Sequence, residues 1–314
     1  MGNSAYLKSF GVGIEFRVSG DLKCVTEGFK GLFARRYVPT FELVEGGLGS
    51  CRCSAVTDWL VTRSGFRLVS MSLSREVDRY LIESAPPAPY INESPYFFIL
   101  QVLTRLYVKS GYLLLTDTVT VSNGDEAVLL MGYPHTGKST LLALALTSGY
   151  VPLTTENTIL EVRGGEARVV GGTEVLVYDP EIEGVYGVKV PYHDLTRHGY
   201  RIYDLRGLKE REEALLKRPR VVSMYLLYCS FNSRGCSYRV VKGRKATKTL
   251  WHFATSIIRG DDYYEPTPQY LSDEFTDSLI SNSINELVRE YSGRFYEVFG
   301  SHKDVLSNVL RVLG

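Results

Sequence analysis

Glutamine is almost missing from this chain of 314 residues: Gln101 and Gln269 are its two examples, against 22 tyrosines. A shortage of thermolabile amides is one mark of thermophile proteins, which makes a heat-adapted source an expectation. Cysteine is sparse too, five in all. An odd, thin set argues against a disulfide framework and suits a reducing cytoplasm. Cys51-Arg52-Cys53 has half the ligand spacing of a metal site, but no second pair follows, which leaves structural or incidental thiols. No apolar run approaches the roughly 18 residues of a bilayer crossing. The segment Met1-Gly2-Asn3-Ser4-Ala5-Tyr6-Leu7-Lys8 has no charged-then-apolar signal pattern, and Tyr6 stands where a myristoylation start needs serine or threonine. An excess of one charge is also missing. A net charge of +1 excludes a protein coated in positive charge for nucleic acid, though not a local basic patch. The expected setting is the cytoplasm, with no membrane partner.

What is present centres on Gly132-Tyr133-Pro134-His135-Thr136-Gly137-Lys138-Ser139-Thr140. It fits G-x-x-x-x-G-K-[ST] in full. The apolar run Ala127-Val128-Leu129-Leu130-Met131 before it reads as a buried strand, and Thr140-Leu141-Leu142-Ala143-Leu144-Ala145-Leu146 after it reads as a helix stopping at Gly149. Strand, glycine loop and helix N-terminus are the context in which this pattern binds phosphate. Gly132 and Gly137 permit backbone angles that turn successive N–H groups inward, and the helix dipole adds to the anion site. Lys138 is expected to reach the β- and γ-phosphates, and Ser139 to ligate Mg²⁺. A protonated His135 would add charge to the cradle; the alternative is a side chain pointing outward. The expected ligands are ATP and Mg²⁺.

Residues 1–95 form an expected strand-rich N-terminal region. Residues 13–18, 55–61 and 66–73 alternate as half-buried strands, Gly46-Gly47 marks a turn, and Ser84-Ala85-Pro86-Pro87-Ala88-Pro89 closes the region. Residues 96–314 form the nucleotide-binding domain. It opens with an apolar helix at 96–107, expected to bury against the sheet that follows. Strands are expected at 112–115 and 118–121, with Ser122-Asn123-Gly124-Asp125 as the turn into the loop's strand. Residues 158–162, 167–170 and 174–178 read as a meander, 179–220 as a surface loop, and 221–228 and 238–241 as strands. Helical spacing returns at 278–292 and 303–313. The fold class is α/β: a P-loop core with a mixed sheet, plus the smaller strand-rich part.

Several nucleotide-binding classes are pruned by absence. There is no N-K-x-D or T-K-x-D triplet and no L-S-G-G-Q element, and the strand at 221–228 runs into Cys229-Ser230 rather than paired acids. Instead, Gly149-Tyr150-Val151-Pro152-Leu153-Thr154-Thr155-Glu156-Asn157 follows the loop closely. With Gly111, residues 115–119, Gly124, Ala127 to Gly132 and Arg294-Phe295-Tyr296-Glu297-Val298, this layout resembles the HPr kinase/phosphorylase family, a P-loop group allied with phosphoenolpyruvate carboxykinases. The resemblance spans roughly residues 96 to 314 and implies an HPr kinase-like core, often in a homo-oligomer. In that family an Asp-Asp pair follows the helix; one aspartate is the base on the acceptor hydroxyl and the pair helps hold Mg²⁺. Here the pair falls on Thr155-Glu156, and the family's histidine on Thr116 or a neighbour.

The resemblance therefore implies a kinase moving the γ-phosphoryl group of ATP to a hydroxyl, on a protein serine or a small metabolite. Lys138 and Glu156 would be catalytic, with Ser139 and Glu156 at the metal. The rivals are a nucleotide-binding regulator or slow NTPase, left by the loss of one carboxylate, and an RNA-associated phosphotransferase. The last would use Arg234, Arg239, Lys242, Arg244, Lys245 and Lys248, which otherwise form a solvated basic face.

Overall fold

The computed structural model describes residues 4–45, 52–261 and 270–313. The turn expected at Gly46-Gly47 and the Cys51 half of the cysteine pair lie outside them. The chain forms two compact units, Met1–Tyr112 with Thr255–Ile280, and Leu113–Ala254 with Ser281–Gly314. The proline-rich stretch at 84–89 marks the end of a strand, whereas the first unit runs past the expected boundary at 95 to Tyr112 and takes in a later segment.

The first unit begins with β1 (Ser4–Ser9), β2 (Val12–Ser19), α1 (Leu22–Lys30), α2 (Leu32–Tyr37) and β3 (Glu42–Glu45). It continues with β4 (Arg52–Val61), β5 (Phe66–Ser72), β6 (Asp78–Ser84) and α3 (Ser94–Lys109). The strand order is β3-β1-β2-β4-β6-β5, parallel across β2, β4 and β6 and antiparallel at both edges. The helices α1 and α2 supply the crossover that parallel neighbours require; the sequence pattern did not reveal them. Asp21 caps α1 by accepting from the Lys23 amide. Phe16, Phe29, Trp59 and Tyr96 meet edge-on or stacked in the core. The helix α3 is apolar nearly all round, and packs on β2 and β4 of its own unit, whereas the sequence suggested the sheet that follows it. Its polar Arg105 is fully buried and is neutralised by Asp78 at 3.0 Å and Asp273 at 2.8 Å.

The second unit carries β7 (Tyr112–Leu115), β8 (Thr118–Ser122), β9 (Glu126–Met131), α4 (Lys138–Thr147) and β10 (Val151–Thr154). Then come β11 (Thr158–Arg163), β12 (Glu166–Gly172), β13 (Val175–Tyr178), α5 (Glu181–Tyr186), β14 (Asp194–Leu195), β15 (Arg201–Asp204) and α6 (Lys209–Lys217). The remaining elements are β16 (Arg220–Cys229), β17 (Cys236–Val240), α7 (Arg244–Arg259), α8 (Glu274–Glu290), β18 (Phe295–Gly300) and α9 (His302–Leu310), with the end of α7 from Thr255 and the start of α8 up to Ile280 belonging to the first unit. The sheet is mixed. β9, β16 and β18 run parallel, β8 and β10 continue antiparallel beyond β9, and β17 closes the far side against β18. The expected meander holds for β11 and β12 only. β13 leaves it to form a separate three-stranded sheet with β15 and β14. The stretch expected as a surface loop is therefore structured, since Leu176, Tyr178, Ile182, Tyr203 and Leu205 bury against the side of α4. The helix α4 is apolar on every side because α9, β8, β10 and β13 all pack on it. Each of its buried leucines contributes about 1.5–3 kcal/mol through burial. Among the described residues no helix is long and apolar enough to cross a membrane.

Candidate functional site

Three parallel strands, β9, β16 and β18, end on the same edge, and the glycine loop occupies the space at their carboxyl ends. Open α/β sheets place ligands there. The loop 132–137 connects β9 directly to α4, as the sequence predicts. Gly137 is left-handed, with φ of 95°, and caps α4. A β-carbon on it would lie 2.5 Å from His302 Nε2 and 2.8 Å from Cys229 Cβ, so both conformation and space require glycine. Gly132 is demanded by space alone: a β-carbon would lie 2.1 Å from Thr136 Oγ1. The Thr136 hydroxyl donates to Tyr133 O at 2.7 Å, and Thr136 O accepts from the Cys229 amide at 3.0 Å, which ties the loop to β16.

Within the loop Tyr133, Pro134 and His135 are exposed. His135 has φ of 64°, a left-handed conformation uncommon for a residue with a side chain. Tyr133 packs its ring against His252 and Phe253 of α7. Lys138 is buried and folds back under the loop. Its ammonium donates to Gly132 O, to Tyr133 O at 3.0 Å, and to Asp117 Oδ1 at 3.1 Å. Three acceptors use all three of its N–H groups. Ser139 is half-buried on the first turn of α4, and Thr140 is buried behind it.

Asp117 is not singled out by the sequence, where the resemblance puts the family's histidine on Thr116 or a neighbour. It sits in the turn between β7 and β8 with φ of 49°, and its carbonyl accepts from the Gly132 amide at 3.1 Å. A usable signal existed. The hairpin turn at Ser122–Asp125 pairs Ser122 with Ala127 and Thr118 with Met131, so the next pair outward is residues 117 and 132. Any carboxylate at 117 then stands at the mouth of the glycine loop.

Glu156 lies in the bend between β10 and β11, half-buried. The bend is held from below: Thr173 Oγ1 accepts from the Glu156 amide at 2.8 Å and the Asn157 amide at 2.9 Å. Glu156 O accepts from the Thr118 amide at 2.9 Å. The structure thus brings the Glu156 backbone to within one residue of Asp117. Thr155, at the first position of the expected acid pair, is buried with its hydroxyl bonded to Thr173 at 3.1 Å. It faces the interior.

His302 is the second residue that the sequence did not single out. It opens α9 immediately after β18 and is almost fully buried. Its Nδ1 is 2.9 Å from the Tyr186 hydroxyl, and its ring packs on Phe231 and Tyr186. Burial lowers its pKa to about 4, so the ring under the loop is neutral at pH 7. Burial likewise raises the neighbouring Cys229 thiol to about 12, leaving it protonated and unreactive. The basic run splits between two elements. Arg239 lies on β17 and Arg244, Lys245 and Lys248 on α7, with Lys245 paired to Glu297 at 2.7 Å.

The oxygen groups at the loop, the Ser139 hydroxyl and the Asp117 carboxylate, are of the kind a hard cation takes, and the Glu156 backbone lies one residue from Asp117. Among the described residues no three His, Cys, Asp or Glu side chains group as a metal cage. No family model matches this chain, and no curated protein matches it.

Proposed function

We propose that the second unit is an ATP-dependent phosphotransferase with an HPr kinase-like P-loop core, moving the γ-phosphoryl group to a hydroxyl acceptor. The observation that carries this reading is the buried Lys138 ammonium, held between two loop carbonyls and the Asp117 carboxylate at the mouth of a glycine loop. A buried lysine with an acid beside it, on a loop whose amides open at a helix N-terminus, is suited to exchanging that acid for phosphate. Lys138 Nζ and the loop amides bind and orient the polyphosphate. Ser139 Oγ, Asp117 and Glu156 supply oxygen donors for Mg²⁺, which neutralises phosphate charge when bound. Glu156 takes the proton from the acceptor hydroxyl.

The burial of Thr155 favours a second reading. With one carboxylate of the expected pair replaced by an inward-facing hydroxyl, the unit would bind nucleotide as a regulator or a slow NTPase.

Isothermal titration of ATP, GTP and ADP with Mg²⁺ into wild type and Lys138→Ala, followed by product analysis, tests the proposal. Binding by wild type that is lost in Lys138→Ala supports it, and absence of binding by wild type sinks it. Glu156→Gln then separates the two readings: a kinase loses turnover while keeping ATP, whereas a regulator is unchanged.

A further inference from the structure

Residues 231–250 contain Arg234, Arg239, Lys242, Arg244, Lys245 and Lys248 and no Asp or Glu, in a chain whose net charge is +1. In the structure Lys245 is neutralised by Glu297. The other five are exposed, and among the described residues none of them pairs with an acid. Arg239 lies on β17 and the others flank it in the chain; among the described residues β17 hydrogen-bonds to β18 alone and so ends the sheet.

The direction of its free backbone groups follows from the register. Gly235 O accepts from the Ser301 amide and the Val241 amide donates to Phe295 O, so residues 235, 237, 239 and 241 face β18. In an antiparallel pair the alternate residues face the other way. The N–H and C=O groups of Cys236, Tyr238 and Val240 therefore point off the edge of the sheet. Their side chains share one face, where Tyr238 is 46% and Val240 43% exposed.

We propose that this edge is a docking strand for an acidic, extended segment of a partner protein. The free donors and acceptors alternate as another strand's do, which gives main-chain pairing. Tyr238 and Val240 offer apolar contact to every second residue of the incoming strand, and the five cations select acidic side chains. Nucleic acid matches the charge but has no backbone to alternate donors and acceptors with β17. Charge alone can also serve to keep an edge unpaired, yet a guarded edge does not expose a tyrosine and a valine along the same strand. This inference does not rest on the nucleotide reading.

The test is fluorescence anisotropy of the full chain with a synthetic peptide of about ten residues alternating glutamate and valine, since strands of that order cover an edge this long. The same peptide N-methylated at alternate amides and a single-stranded RNA of equal charge are run beside it. Expected are binding that weakens as salt rises, a Kd at least tenfold higher for the N-methylated peptide, and a similar loss for Arg239→Glu with Lys242→Glu. Equal binding of the parent and N-methylated peptides, tighter binding of the RNA, or no binding of the parent peptide would each overturn the proposal. The peptide comparison uses wild type throughout, so it stands even if the charge-reversed variant fails to fold.

Discussion

Asp117 Oδ1 lies 3.1 Å from Lys138 Nζ and completes the three acceptors of that ammonium. A polyphosphate that engages Lys138 must therefore displace a carboxylate first. Partly exposed ion pairs of this kind are worth about 0.2–1 kcal/mol. Asp117→Asn is accordingly expected to tighten metal-free ATP binding by up to about fivefold, read by titration calorimetry. Product formation with Mg²⁺ should fall in the same variant, because a donor for the cation has gone. Weaker metal-free binding would show that Asp117 does not compete with phosphate.

Gly137→Ala meets two obstacles at once, a φ of 95° and the His302 and Cys229 side chains. A non-glycine residue forced into such a conformation costs about 1–3 kcal/mol. The variant should unfold at lower urea concentration by that amount and lose nucleotide binding. Unchanged stability would mean that the loop relaxes around the added carbon.

The buried His302 sets a pH dependence of definite sign. Its pKa is lowered by burial from 6.5 to about 4, so between those values the unfolded chain binds the proton and the folded one does not. Its contribution is complete above pH 6.5 and is lost as pH falls toward 4, reaching on the order of 3 kcal/mol. Urea unfolding between pH 7 and pH 4.5 should show a smaller decline for His302→Gln than for wild type. Parallel declines would place the titrating group elsewhere.

In the first unit Arg105 bridges Asp78 and Asp273. Arg105→Met fits the volume but leaves Asp78 with the Lys109 ammonium, at 3.1 Å, and the Ser74 amide, at 2.8 Å. Removing one partner of a buried pair costs about 3–5 kcal/mol, and denaturant unfolding should register a loss of that order. Partial burial pushes the Asp273 carboxyl up, but hydrogen bonds from Arg105 and Thr276 outweigh it and hold it at about 2. The Asp273 contribution is therefore present above the ordinary carboxyl pKa and is lost as pH falls through 2. Arg105→Met should weaken that acid dependence, leaving the part due to Thr276.

Local pattern made much of this molecule legible. The apolar run of β9, the glycine loop and the uniformly apolar α4 could be read from neighbouring residues alone, because backbone conformation and burial along such a segment depend on residues a few positions apart. So could β7, β8 and the turn between β8 and β9. The crossover helices α1 and α2 were not legible, being short and bounded by residues that also suit strands. The mixed and polar stretch after Asp179 looked like loop because the apolar residues of β13 and β15 are few and find their partner in α4, far along the chain.

The candidate site divides in the same way. Sequence by itself determined the phosphate-loop pattern, Gly132 through Thr140, since its spacing and its glycines are local requirements of backbone geometry. Tertiary structure decided what surrounds it. Asp117 reaches Lys138 through hairpin register, His302 reaches Gly137 because β18 ends beside β16, and Thr155 turns inward under Thr173 while Glu156 occupies the bend. Each of these depends on strand pairing between distant segments, as far apart as Glu126 and Arg220. Side-chain chemistry along the chain names the groups that can act, and only the packing of strands decides which of them meet.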